Sequence, residues 1–131
     1  MRKILISTIF LFGLSACATQ PISFSAAKSV AAAKIVDVGE GAASVLVKRD
    51  SGFTGSCCDV RIFVNGKLRA KVGPGEVVAL RSMPGRVIIG AEFPAGGLKE
   101  IETTLEADHP NKFRVLIDSA MSTSIVPTAT D

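Results

Sequence analysis

From Ala43 onward, apolar and polar residues alternate with a period of two, the pattern of strands with one buried face. SVLVKR at 44–49 predicts a strand, and DVRIFV at 59–64 predicts another with Val60, Ile62 and Val64 on one face. Asn65-Gly66 follows, the strongest short hairpin signal, because a type I′ turn needs positive φ at both central positions. KLRAKV at 67–72 then returns with Leu68, Ala70 and Val72 inward and Lys67, Arg69 and Lys71 outward. Gly73-Pro74-Gly75 and Met83-Pro84-Gly85 bracket a strand at 76–81, and Pro94 to Gly97 separates strands at 86–93 and 98–107. The turn Asp108-His109-Pro110-Asn111 leads into KFRVLID at 112–118. About seven short strands with frequent turn signals, and no helical crossovers between them, predict an all-β fold, a small antiparallel β-sandwich.

The chain before residue 43 reads differently. Arg2 and Lys3 precede an apolar run at 4–14, the length of a signal-peptide core and too short to span a bilayer. Leu14-Ser15-Ala16-Cys17 follows, and it resembles the lipobox of bacterial lipoprotein precursors. The resemblance implies that residues 1–16 are removed and that Cys17 carries a lipid anchoring the chain in a membrane. By resemblance to enterobacterial lipoproteins, Ala18 in place of an aspartate implies sorting to the bacterial outer membrane, where the periplasmic face is expected over the cell surface. An ordinary secretory signal stays open as the alternative, with Ala16-Cys17-Ala18 as its cleavage site.

These signals divide the chain into a leader at 1–16, a lipidated N-terminus and Ala/Ser-rich tether at 17–43, a sandwich at 44–119 and a Ser/Thr-rich tail at 120–131. The tail is expected to fray. Within the tether, residues 25–34 read as a short helix or as flexible chain, and residues 34–38 as an added edge strand.

Composition narrows the function classes. Of 15 Lys and Arg against 12 Asp and Glu, two belong to the leader, so the mature chain is close to neutral. That removes the electrostatic case for nucleic acid or for an anionic membrane patch. There is no Trp and no Tyr, the residues on which sugars commonly stack, so no carbohydrate ligand is favoured. The mature chain keeps Phe24, Phe53, Phe63, Phe93 and Phe113, most of which read as core.

The stretch from Val60 to Ile89 reads as strand, VNGK, strand, GPGE, strand, MPGR, strand. It resembles the small β-sandwich modules of bacterial envelope proteins of the PEGA-like and DUF2846-like families, and VLVKRDSGFTGS at 45–56 resembles the opening of DUF2846-like lipoproteins. The shared motifs are mostly turn chemistry, and the resemblance implies no catalytic residues.

Cys57-Cys58 is the most unusual local feature. With Cys17 consumed by lipid, the pair has no third thiol, which leaves a vicinal disulfide, reduced or buried thiols, or an intermolecular bridge. A soft-metal site would need distant helpers such as His109 or Met83, so no metal and no cofactor is expected. Hydrolase chemistry is poorly supported, since His109 is the single histidine and sits in a turn, and no G-x-S-x-G is present. Glu100 and Glu102 read as an exposed strand face. Lys48, Arg49, Asp50 and Asp59 flank the Gly-rich loop at 51–58 and read as a solvated surface. The expectation is a non-enzymatic, lipid-anchored envelope lipoprotein presenting a β-sandwich for protein interaction or a structural role. An accessory lipoprotein of an assembly or secretion machine, or an unrecognised hydrolase, are the alternatives.

Overall fold

The computed structural model describes residues 19–129; Cys17 and the leader expected at 1–16 lie outside them. The strands are β1 (Lys28–Ser29), β2 (Ala43–Arg49), β3 (Val60–Val64), β4 (Lys67–Val72), β5 (Glu76–Ser82), β6 (Gly85–Phe93), β7 (Gly97–Leu105), β8 (Asn111–Ile117) and β9 (Thr123–Pro127). A 3-10 turn at Ala32–Lys34 interrupts the segment after β1. One sheet runs β1-β5-β2-β8-β9 and the other β4-β3-β6-β7, and their apolar faces pack together as a β-sandwich. Alternation drives this: Val60, Ile62 and Val64 of β3 are buried between the sheets, as are Val78 and Leu80 of β5.

The expected all-β sandwich is therefore present, with three differences of detail. First, two pairings are parallel: β2 with β8 and β1 with β5. No helix is needed to connect β2 to β8, because the whole second sheet intervenes in the sequence between them. Second, the tail does not fray where β9 forms. Thr123 and Ile125 alternate inward, are buried, and pair β9 with β8. Third, only Phe93 and Phe113 of the five phenylalanines are core, and Phe53 is 76% exposed.

Residues 20–38 are laid against the sandwich. Gln20 and Ser51 exchange backbone hydrogen bonds of 2.7 and 3.1 Å. The Phe24 ring sits 4.3 Å from Lys48 Nζ and 5.1 Å from Lys112 Nζ, covering the outer face of β2 and β8. β1 then pairs with the start of β5, Ile35 bridges to Ala70 of β4, and the Arg81 amide donates to the Val38 carbonyl. The segment thus straps both sheets along one side and covers edges that would otherwise offer unpaired backbone groups.

The strap and strand directions define two poles. β2 and β8 end, and β5 begins, at the pole that carries the loop at 51–58. The Asn65-Gly66 hairpin, Met83 and His109 lie at the other, about 20 Å away by the length of the strands. Asn65 at φ 48° and Gly66 at φ 75° have the positive φ of a type I′ turn, and Asn65 Oδ1 also accepts from the Ile88 amide at 2.9 Å.

Candidate functional site

The loop between β2 and β3 is built around a buried cation. Ala43, Val45, Val47 and Arg49 occupy the inward positions of β2, so the period that buries the valines also carries Arg49 into the sandwich, where it is 1% exposed. Its guanidinium donates to three carbonyls: Cys58 at 2.6 Å, Gly55 at 2.7 Å and Val72 at 3.4 Å. The Phe93 ring lies 5.6 Å from the guanidinium carbon. Burial lowers the Arg49 pKa, and the fields of Asp59 and Glu76 oppose that shift. A buried guanidinium persists only when its donors are satisfied, and here the loop backbone satisfies them.

Gly55 makes this possible. Its φ is +71°, and an added Cβ would come within 3.1 Å of both Arg49 Nη2 and the Phe93 ring. Beyond it, Cys57 and Cys58 form a vicinal disulfide with α-carbons 3.8 Å apart. Phe53 stands out from the loop, and Phe53, Cys57 and Met121 line a shallow, mainly apolar cleft of about 430 Å³ together with Ser119.

Two further polar clusters steady this pole. Arg114 grips Asp50 through Nε, at 2.9 Å from each carboxylate oxygen, and through Nη2 at 2.6 Å. Asp50 is buried and Arg114 partly so, and the hydrogen bond to Asp50 raises the Arg114 pKa against the opposing effect of burial. Lys34 of the strap lies 3.0 Å from both Asp59 Oδ1 and Glu76 Oε2, and these hydrogen bonds, Glu76 first, raise its pKa.

The expected solvated surface at Lys48, Arg49 and Asp50 is thus corrected: all three are buried. The charged run looked like a strand end meeting water, but Arg49 continues the inward face, Asp50 meets Arg114, and Phe24 and Ile22 of the strap cover Lys48. Alternation already placed Arg49 inward. The partners of Asp50 and Lys48 lie 64 and 26 residues away and leave no local signal.

His109 is exposed at the opposite pole, 2.9 Å from Glu106 and 3.0 Å from Asp108. The structure brings neither His109 nor Met83 to the Cys57-Cys58 pair. Glu100 and Glu102 lie exposed on β7. No helix among the described residues is long and apolar enough to cross a membrane. No family model, curated protein or solved structure matches the chain.

Proposed function

We propose that this chain is a non-enzymatic lipoprotein of the bacterial envelope, anchored in the outer membrane through Cys17, whose β-sandwich is presented to a protein partner. The observation that carries the reading is the LSAC motif directly after an apolar core of signal-peptide length. The turn chemistry shared with PEGA-like and DUF2846-like modules is consistent with it. The polar groups of the loop pole also support it: buried Arg49 and Asp50, with partly buried Arg114, spend their hydrogen bonds on holding the fold, as structural groups do.

A second reading, an accessory lipoprotein of an envelope assembly or secretion machine, is favoured by β7. This nine-residue strand is the edge of its sheet, and residues 97–100 of it are exposed. Such an edge is suited to strand addition by a partner. Fatty-acid labelling of the wild-type chain and of Cys17→Ala tests the anchor. In-cell crosslinking from an exposed β7 position, such as Lys99, tests the partner. Labelling that persists in Cys17→Ala contradicts the anchor, and Lys99 crosslinks no stronger than those from a hairpin-pole control contradict docking at β7.

A further inference from the structure

The anchor residue and the fold are separated by very little chain. Cys17 precedes Gln20 by three residues, a span of at most about 11 Å when fully extended. Gln20 is not free, because it is paired with Ser51, the first residue of the disulfide loop. A lipid on Cys17 therefore holds one particular pole at the bilayer, whereas the opposite pole lies about a strand length, roughly 20 Å, further out.

The loops that meet at the near pole are suited to that position. SGFTGSCC at 51–58, GPG at 73–75, PAGG at 94–97 and DSAMS at 118–122 contain one charged residue, Asp118. Its Oδ1 is already occupied by the Ala120 and Ser122 amides, each at 2.9 Å. Phe53 projects from this surface at 76% exposure, beside the apolar cleft it forms with Cys57 and Met121. The far pole differs, with Glu106, Asp108 and His109 in its turn. Charge at this pole is otherwise confined to its rim, where Lys34 pairs with Asp59 and Glu76 and exposed Lys28 lies beside the start of β5. Loops so poor in charge lose little on leaving water, and an exposed ring gains from entering the headgroup and upper acyl region.

We propose that the disulfide pole rests on the lipid bilayer, with the Phe53 ring seated in the interface, so that the anchor fixes the orientation of the domain as well as its location. This rests on lipidation at Cys17, the reading given above. The hairpin pole then faces away from the membrane, and the exposed edge of β7 runs outward from Gly97 at the membrane side to Leu105.

The chain lacks Trp and Tyr, so one introduced Trp is a unique fluorescent reporter. Phe53→Trp and Met83→Trp place it at exposed sites on opposite poles, Met83 being 70% exposed. The full-length lipidated protein is reconstituted in phosphatidylethanolamine and phosphatidylglycerol vesicles with and without a lipid brominated in its upper acyl chain. The expected result is loss of about half or more of the Phe53→Trp emission, with Met83→Trp unaffected, as for a group at the interface. In protein whose Cys17 lipid is verified by mass, equal quenching at both positions, or none at Phe53→Trp, overturns the orientation and leaves the anchor standing. An emission shift of Phe53→Trp that follows protein concentration, without lipid quenching, puts a second copy on this pole and also overturns it. Absence of lipid on Cys17 overturns both readings, and the mass spectrum tells that case apart.

Discussion

Arg49 donates to the Gly55 carbonyl at 2.7 Å from inside the sandwich, so the loop carrying Cys57 and Cys58 is held from beneath by a buried cation. Arg49→Met keeps most of the side-chain volume and removes every donor to Gly55, Cys58 and Val72. Charge-assisted hydrogen bonds of this kind are worth about 1.5–3 kcal/mol each, so a loss of at least about 3 kcal/mol is expected in chemical denaturation. Arg86→Ala is the control, because Arg86 pairs with Glu102 on an exposed face, and its change is expected to stay below about 1 kcal/mol. Equal effects from the two variants would remove Arg49 from this role.

Two glycines with positive φ separate backbone strain from crowding. At Gly66 an added Cβ meets nothing within 4 Å, so Gly66→Ala reports the left-handed backbone alone, about 1–2 kcal/mol. At Gly55 the same change adds contact with Arg49 and Phe93 to a similar φ, and the loss of stability should be clearly larger. Thermal unfolding of both variants checks the order, and a smaller loss at Gly55 would contradict the packing described for the loop.

Lys34 fastens the strap through Asp59 and Glu76, and its pKa is raised above 10.5 by those partners. A raised pKa contributes stability that is present below the unfolded value and is lost as pH rises through the folded value. The stability difference between wild type and Lys34→Gln should therefore be constant near neutrality and shrink toward zero above pH 10.5. Its size should be modest, about 1 kcal/mol or less, because the groups are partly exposed. A difference that grew with alkalinity would contradict the assignment.

The Cys57-Cys58 bridge closes the shortest possible loop, so it constrains the unfolded chain little. The Cys57→Ser/Cys58→Ser variant is expected to lose about 1 kcal/mol or less and to keep the same crosslinked partners. Stoichiometric copper or zinc bound by the wild-type domain and lost in the double variant would give the pair a metal function instead.

Local pattern made the strands from β2 to β8 legible, along with the Asn65-Gly66 turn, since alternation and turn chemistry act over a few residues. The same alternation runs through Ala43, Val45, Val47 and Arg49, so position, more than residue type, decides that the arginine is buried. β9 is obscured in the sequence because Ser and Thr dilute its period, although Thr123 and Ile125 keep it. The strap was not legible in detail, because its fastenings are long-range: Gln20 to Ser51, Lys34 to Glu76 and Ile35 to Ala70. The partners that bury Lys48 and Asp50 are equally distant in sequence and left no local trace.

The anchor is tested most directly by the N-terminal residue and the intact mass of the mature protein purified from membranes. The expected chain begins at Cys17, is 115 residues long and carries diacylglycerol on its thiol. A mature chain beginning at Thr19, with no added lipid mass, would show an ordinary secretory signal cut after Ala18 and would contradict the account.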